Sequence, residues 1–198
     1  QRTVQGPNWK IAYDGYLDFY HLLILHKDTF GPDFSSQALY NSWGPHQRVS
    51  SPAIELKDFM DKPEDEWPTD QLVLGVWTIF PHVSIASFDE GGRGVLLSQL
   101  FPGEKVGESI TVQYYLMENL PEGEEAVKAS HDQFDFLKFV VESEDYATGL
   151  RQQQALMTGT KKHVMFGRNE AGGQNFHQWL DRILKADDSE LPGLFDKP

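Results

Sequence analysis

Asp18, His21 and His26 stand inside the segment DFYHLLILH, where a carboxylate and two imidazoles interrupt an apolar run. A buried polar group costs free energy unless a partner satisfies it, so the pattern implies hydrogen-bonded side chains or a bound ion. The histidines are five residues apart. On an ideal helix that spacing separates two side chains by about 140°, and both reach one ion only if the helix bends, bulges or ends there. Histidines four apart would be the stronger metal signal. The spacing here suits two separately satisfied histidines as well. Asp18 comes three residues before His21, which on a helix sets its carboxylate beside the imidazole. A carboxylate accepting from one ring nitrogen leaves the other free for a metal; an acid favoured by the positive end of a helix is the alternative.

Two histidines with acids and no thiolate make a nitrogen and oxygen donor set, for which iron, zinc and manganese are candidates. A third ligand has to come from elsewhere among the 30 acidic residues. Asp145, four residues after Val141, can project from the face that Phe134, Leu137 and Val141 bury; otherwise it is a solvated first-turn acid beside Glu144.

The elements that must position these groups read as α+β. NWKIAYDG suggests a short strand entering a turn at Asp14-Gly15, followed by a helix from about Tyr16 to His26. KDTFGPDFSSQ and MDKPEDEWPTDQ read as loops. LVLGVWTIF, VSIASF, GVLLSQLF and SITVQYYLM form an antiparallel meander of four strands, separated by turns at Phe80-Pro81-His82, DEGGRG and PGEKVGE. Ile110, Val112, Tyr114 and Leu116 alternate onto one face. Val127, Phe134, Leu137, Val141 and Asp145 then step at helical spacing. SEDYATGLRQQQALM starts like a new helix with Ser143 as N-cap. A last helix carries Phe176, Leu180, Ile183 and Leu184 on one stripe, before an irregular tail. An antiparallel sheet around a long helix leaves room for an apolar ligand between them. Trp77 and Trp179 read as core residues. His177 reads as partly exposed, and His46, His131 and His163 have no carboxylate at useful spacing.

The 198 residues suit one domain, residues 1–198. A net charge of −13 disfavours nucleic acid and anionic membrane surfaces, and favours a neutral or cationic small molecule or a basic protein partner. No cysteine is present, which excludes disulfides, a cysteine nucleophile and a self-contained cysteine-ligated cluster. No apolar run is long enough for a membrane helix and the N-terminus is unlike a signal peptide, so a cytoplasmic location is expected. The chain begins at Gln1, as a processed chain or a fragment would.

NWK at Asn8–Lys10, then DFYHLLILH, then EDY with QQQAL, resemble the catalytic domain of the Rieske non-haem iron ring-hydroxylating oxygenases. TIFPHVSI and RNEAGGQNFHQWL are similar to that family's middle and C-terminal segments. The resemblance implies a helix-grip fold of the START/Bet v 1 kind, a curved antiparallel sheet around a long C-terminal helix. It implies a mononuclear Fe(II) held by His21, His26 and Asp145. Asp18 would be the catalytic acid that links the iron to the Rieske cluster of a neighbouring subunit. Leu22, Phe30 and Val141 are expected around the substrate, with ordinary core packing as the alternative. The family commonly has Glu-Asn where this chain has Tyr13-Asp14, and Asn where it has His82; both put polar groups near the pocket, so Asp14 joins the substrate-binding candidates.

The implied activity is mono- or dioxygenation of a small aromatic substrate with O2, as in aromatic hydrocarbon catabolism. A Rieske domain, with its ferredoxin and reductase, would supply the electrons, and the full-length form would be a homotrimer. A 2Fe-2S Rieske cluster needs two Cys and two His, so here it must come from another chain or a missing domain. Two alternatives stand beside this one: a metal-free helix-grip module for a hydrophobic ligand, and a zinc or manganese hydrolase.

Overall fold

The computed structural model describes residues 1–33, 35, 37–68, 73–88 and 93–196. The DEGG part of one expected turn and the TDQ end of one expected loop, with single positions of the serine-containing loop, lie outside the described residues. Strands β1 (Arg2–Gly6), β2 (Leu39–Trp43), β3 (His46–Pro52), β4 (Val73–Ile79), β5 (Val83–Phe88), β6 (Gly94–Pro102) and β7 (Ser109–Met117) form one curved, unclosed antiparallel sheet in the order β1-β7-β6-β5-β4-β3-β2. The expected meander is β4 to β7. The sheet extends beyond it through the hairpin β2-β3 on one side and through β1, which returns to pair with β7. Leu39, Asn41, Ser42 and Trp43 of β2 are exposed, so that edge strand lacks the alternating pattern that marks a strand in sequence.

Ile110, Val112, Tyr114 and Leu116 do share a face, but it is the half-exposed one. Ser109, Thr111 and Gln113 of the same strand are buried. Register continues this polar layer: Gln113 opposes Ser98, Ser98 opposes Ser84, Ser84 opposes Thr78, and all four are buried. Thr111 Oγ1 meets Tyr146 Oη at 2.5 Å, and Gln113 Nε2 reaches Ser98 Oγ at 3.5 Å. Alternation fixes the period of a strand, not which side is covered.

Helix α1 (Trp9–Asp14) occupies the place of the expected strand. Asn8 caps it, its side-chain oxygen accepting from Lys10 N at 3.0 Å, and the helix buries Ala12 and Tyr13. The expected helix from Tyr16 to His26 reduces to the single turn α2 (Leu22–Leu25). Leu17 packs with Tyr13 and Phe176, whereas Phe19 and Leu22 pack with Val49 in a separate cluster.

The long helix runs without a break as α3 (Glu124–Val140), a π-helical turn (Val141–Tyr146) and α4 (Ala147–Met157). Ser143 therefore caps nothing; it lies inside the turn, where backbone bonding continues. Phe134, Leu137, Val140 and Val141 are buried, while Val127 is exposed because α3 begins beyond the sheet's cover. Helix α5 (Ala171–Lys185) buries Phe176 and Trp179, but Leu184 faces out. Its first turn lies so close to the chain after α1 that a Cβ on Gly172 would stand 2.3 Å from Leu17 O. A last turn, α6, spans Leu191–Leu194. Trp77 lies on the outer face of the sheet, 37% exposed beneath the Arg48 guanidinium, rather than in the core.

Candidate metal centre

His21 and His26 flank α2 at its two ends, so neither is bound by the 140° separation of a continuous helix. Asp18 Oδ1 accepts from His21 N at 3.3 Å and lies 2.8 Å from His21 Nδ1. This local bond gives the amide a partner other than a helical carbonyl, which is how an Asp interrupts a helix. After α2 the chain doubles back tightly. His26 O accepts from Thr29 N at 3.0 Å and Gly31 N at 2.9 Å. Any side chain at position 31 would bring a Cβ to 2.2 Å from Leu22 O and 2.7 Å from His26 O. His26 is 2% exposed, and its ring stacks on Phe30 at 4.7 Å.

Asp145 comes from the π-helical turn of the long helix. Its Oδ1 lies 3.7 Å from His21 Nε2 and 3.4 Å from His26 Nε2. One potential ligand atom from each of the three residues falls within 4.8 Å of the others. Two donors each about 2.1 Å from one ion stand roughly 3 to 3.5 Å apart, so little adjustment is needed for a shared ion.

Glu144, the residue before Asp145, was not legible as part of this centre. Its Oε2 lies 2.5 Å from His26 Nδ1 and 3.1 Å from Thr29 Oγ1. Consecutive residues of an α-helix point about 100° apart, which would turn one of these acids away. The i→i+5 bonding of a π turn changes that geometry, and such bulges mark functional sites. No composition rule announces a π turn; the adjacency of two acids was the only hint. Burial pushes the His26 pKa down, and the carboxylates of Asp145 and Glu144 outweigh it, holding the imidazole above its ordinary range.

Each histidine thus has Nδ1 against a carboxylate and Nε2 turned toward Asp145 Oδ1. With each ring proton on Nδ1, two Nε2 lone pairs and a carboxylate oxygen would face one point, a setting that suits a cation. Two imidazoles and one carboxylate form the donor set of the facial triad of non-haem Fe(II) sites. The residues fit that ion.

The centre lies in a wall between two cavities. On one side is an apolar cavity of about 110 Å³ between sheet and long helix, with Leu22, Phe30, Val141, Leu96 and Leu137 in its lining. On the other is a cleft of about 410 Å³, lined partly by Tyr20, Lys161, Phe166 and Glu170. Asp18, His21 and Asp145 border both. Asp14 departs from expectation: it lines the cleft and not the apolar cavity, and its Oδ1 meets His177 Nε2 at 2.9 Å. Tyr13 beside it is buried and donates its hydroxyl to Val83 O at 3.1 Å, so neither Tyr13 nor Asp14 lines the apolar cavity. His46 Nδ1 accepts from Phe80 N at 3.2 Å, a structural contact that closes the turn after β4.

Residues 3–186 match the family described as the ring hydroxylating alpha subunit, catalytic domain. The chain belongs to that family. Among curated proteins no sequence matches significantly. Solved structures share the fold of this ring-hydroxylating catalytic domain at low identity. The quaternary ammonium Rieske monooxygenase CntA, in complex with L-carnitine, superposes with a TM-score of 0.63 at 12% identity over 91% of this chain and 47% of its own. Dicamba monooxygenase bound to 3,6-dichlorosalicylic acid gives 0.56 at 9% identity, over 92% of this chain and 58% of its own. A mutant of NdmA from Pseudomonas putida CBB5 with theobromine gives 0.62 at 12% identity, over 98% and 52%. The chain therefore spans about half the length of these relatives. With all three it shares a mixed helix and sheet fold.

Proposed function

We propose that the chain is the catalytic half of a Rieske-type oxygenase that binds one Fe(II) through His21 Nε2, His26 Nε2 and Asp145 Oδ1 and inserts oxygen from O2 into a small aromatic substrate. What carries this reading is the convergence of those three atoms at the apolar cavity, with His21 and Asp145 also bordering the wider cleft. When bound, the ferrous ion supplies O2 activation. The protein's part is separation. The apolar cavity holds the substrate against Leu22, Phe30 and Val141 and keeps water from the open side of the ion. Among the described residues no Lys or Arg lines it, while Asp18 and Asp145 do, so an uncharged ring is favoured over a carboxylate. Its volume compares with the ~150 Å³ apolar cavity known to take benzene.

The cleft side receives electrons. Asp18 there bonds His21 Nδ1, and is the acid through which a docked Rieske domain, reduced by ferredoxin and reductase, passes charge to the centre. With no cysteine, this chain supplies no cluster of its own. The cluster comes from a neighbouring subunit, by this reading in a homotrimer in the cytoplasm. Asp14, tied to His177, borders the same cleft.

Anaerobic reconstitution with Fe(II) tests the proposal. Wild-type protein takes up one equivalent, and a His21→Ala, His26→Ala double variant takes up none. Equal iron in both would leave a metal-free module for a hydrophobic ligand. With iron bound, product forms only when O2, reductant and a separate Rieske protein are all present; hydrolysis independent of O2 would instead favour a zinc or manganese hydrolase.

A further inference from the structure

Three carboxylates face two imidazoles at this centre, one more than a triad with one supporting acid requires. Glu144 is the additional one. Its Oε2 stands 2.5 Å from Nδ1 of His26, while Asp145 Oδ1 stands 3.4 Å from Nε2 of the same ring. Two consecutive residues of one π-helical turn therefore hold opposite edges of one imidazole. Thr29 Oγ1 lies 3.1 Å from both Glu144 Oε2 and His26 O, bracing the acid against the loop that carries the histidine. The contact is sheltered: the His26 side chain is 2% exposed and that of Glu144 17%. Asp18 does the same for His21 at 2.8 Å.

We propose that Glu144 is a positioning residue for His26: it keeps the ring proton on Nδ1 and the Nε2 lone pair aimed at the ion. The proposal rests on the Fe(II) reading above and adds to it a residue outside the triad. A ligating histidine whose second nitrogen is unheld loses both its tautomer and its orientation, and such losses cost about 10- to 100-fold in metal affinity. Since His26 follows a one-turn helix and precedes a tight loop, little in its own backbone restrains the ring. Phe30 stacks on one face, but stacking does not select a nitrogen.

The test measures Fe(II) affinity anaerobically, and the visible absorption of the Co(II)-substituted protein, for wild type, Glu144→Ala, Glu144→Gln and the exposed control Glu142→Ala. The expected result is about a 10- to 100-fold loss for Glu144→Ala with an altered Co(II) spectrum. Glu144→Gln, whose amide oxygen still accepts from Nδ1, recovers most of the affinity, and Glu142→Ala matches wild type. Equal affinity of wild type and Glu144→Ala would overturn the proposal. So would a loss shared by Glu144→Gln and tracking a fall in Tm, because that is the mark of a merely structural acid. Wild-type protein that binds neither ion overturns the metal-centre reading itself, a result distinct from any difference among the variants.

Discussion

The imidazoles of His21 and His26 bracket a single helical turn, with ring centroids 5.3 Å apart at 65° and both Nε2 atoms turned to Asp145 Oδ1. Five residues of sequence separation are thereby converted into a shared coordination point. The conversion depends on the helix being one turn long. Asp145→Ala should then weaken Fe(II) binding by at least about 100-fold, more than the loss of an outer carboxylate. Calorimetric titration under anaerobic conditions reads it, and retained affinity would remove Asp145 from the ligand set.

Gly31 closes the loop behind His26. A Cβ there would stand 2.2 Å from Leu22 O and 2.7 Å from His26 O, both backbone atoms that do not swing aside. Gly31→Ala is expected to cost about 1 to 3 kcal/mol by overpacking. The same variant should weaken Fe(II) binding, because the shift is transmitted to His26. Urea midpoints and metal titration measure the two effects.

Val141 sits where the long helix passes from α to π, and it lines the apolar cavity. Val141→Phe should fill much of that space. One-ring uncharged compounds that bind wild type will bind the variant at least about tenfold more weakly, while Fe(II) affinity holds, since Val141 is not one of the three ligands. Fluorescence or calorimetric binding of such compounds decides it; unchanged binding would place the substrate elsewhere.

Asp14 gives a pH-dependent expectation. Burial raises its pKa above the usual carboxylate range and the charge of Asp18 adds to the rise, against the His177 bond and Lys10, which lower it. A raised folded-state pKa means that the native protein holds this proton more tightly than the unfolded chain. The stability tied to it is full below the unfolded pKa of about 3.9 and is lost as pH rises through the folded value. Asp14→Asn should therefore be more stable than wild type near neutral pH, by less than about 1 kcal/mol given the partial exposure. The gain disappears below about pH 4. Urea unfolding across this range tests the sign.

The hydroxyl oxygens of Tyr146 and Thr111 lie 2.5 Å apart beneath the long helix, with both groups buried. Thr111→Val keeps the shape and deletes the partner. The expected cost is about 1 to 3 kcal/mol, the penalty of a buried hydroxyl left unpaired. Chemical denaturation measures it, and a neutral result would mean that Tyr146 finds another partner in the polar layer.

Residue identity and spacing alone narrowed any metal site to nitrogen and oxygen donors. His21, His26 and Asp18 announced themselves because polar groups in an apolar run need partners. The four-strand meander and the helical stripe of Phe134, Leu137 and Val141 followed from periods of 2 and 3.6, which depend only on local geometry. The absence of cysteine settled that this chain holds no cysteine-ligated cluster. Tertiary structure decided the rest, and for reasons that periodicity does not carry. Asp18 gives the His21 amide a partner other than a helical carbonyl, so the segment before His21 does not continue as a helix. The long helix covers the face with Ser98, Thr111 and Gln113, so the apolar row of β7 lies outside. The π turn brought Glu144 to His26 beside Asp145, across 118 residues of chain. Local propensity sets what a segment prefers, but which side of it is buried, and which distant acid meets which imidazole, is fixed only when the segments pack together.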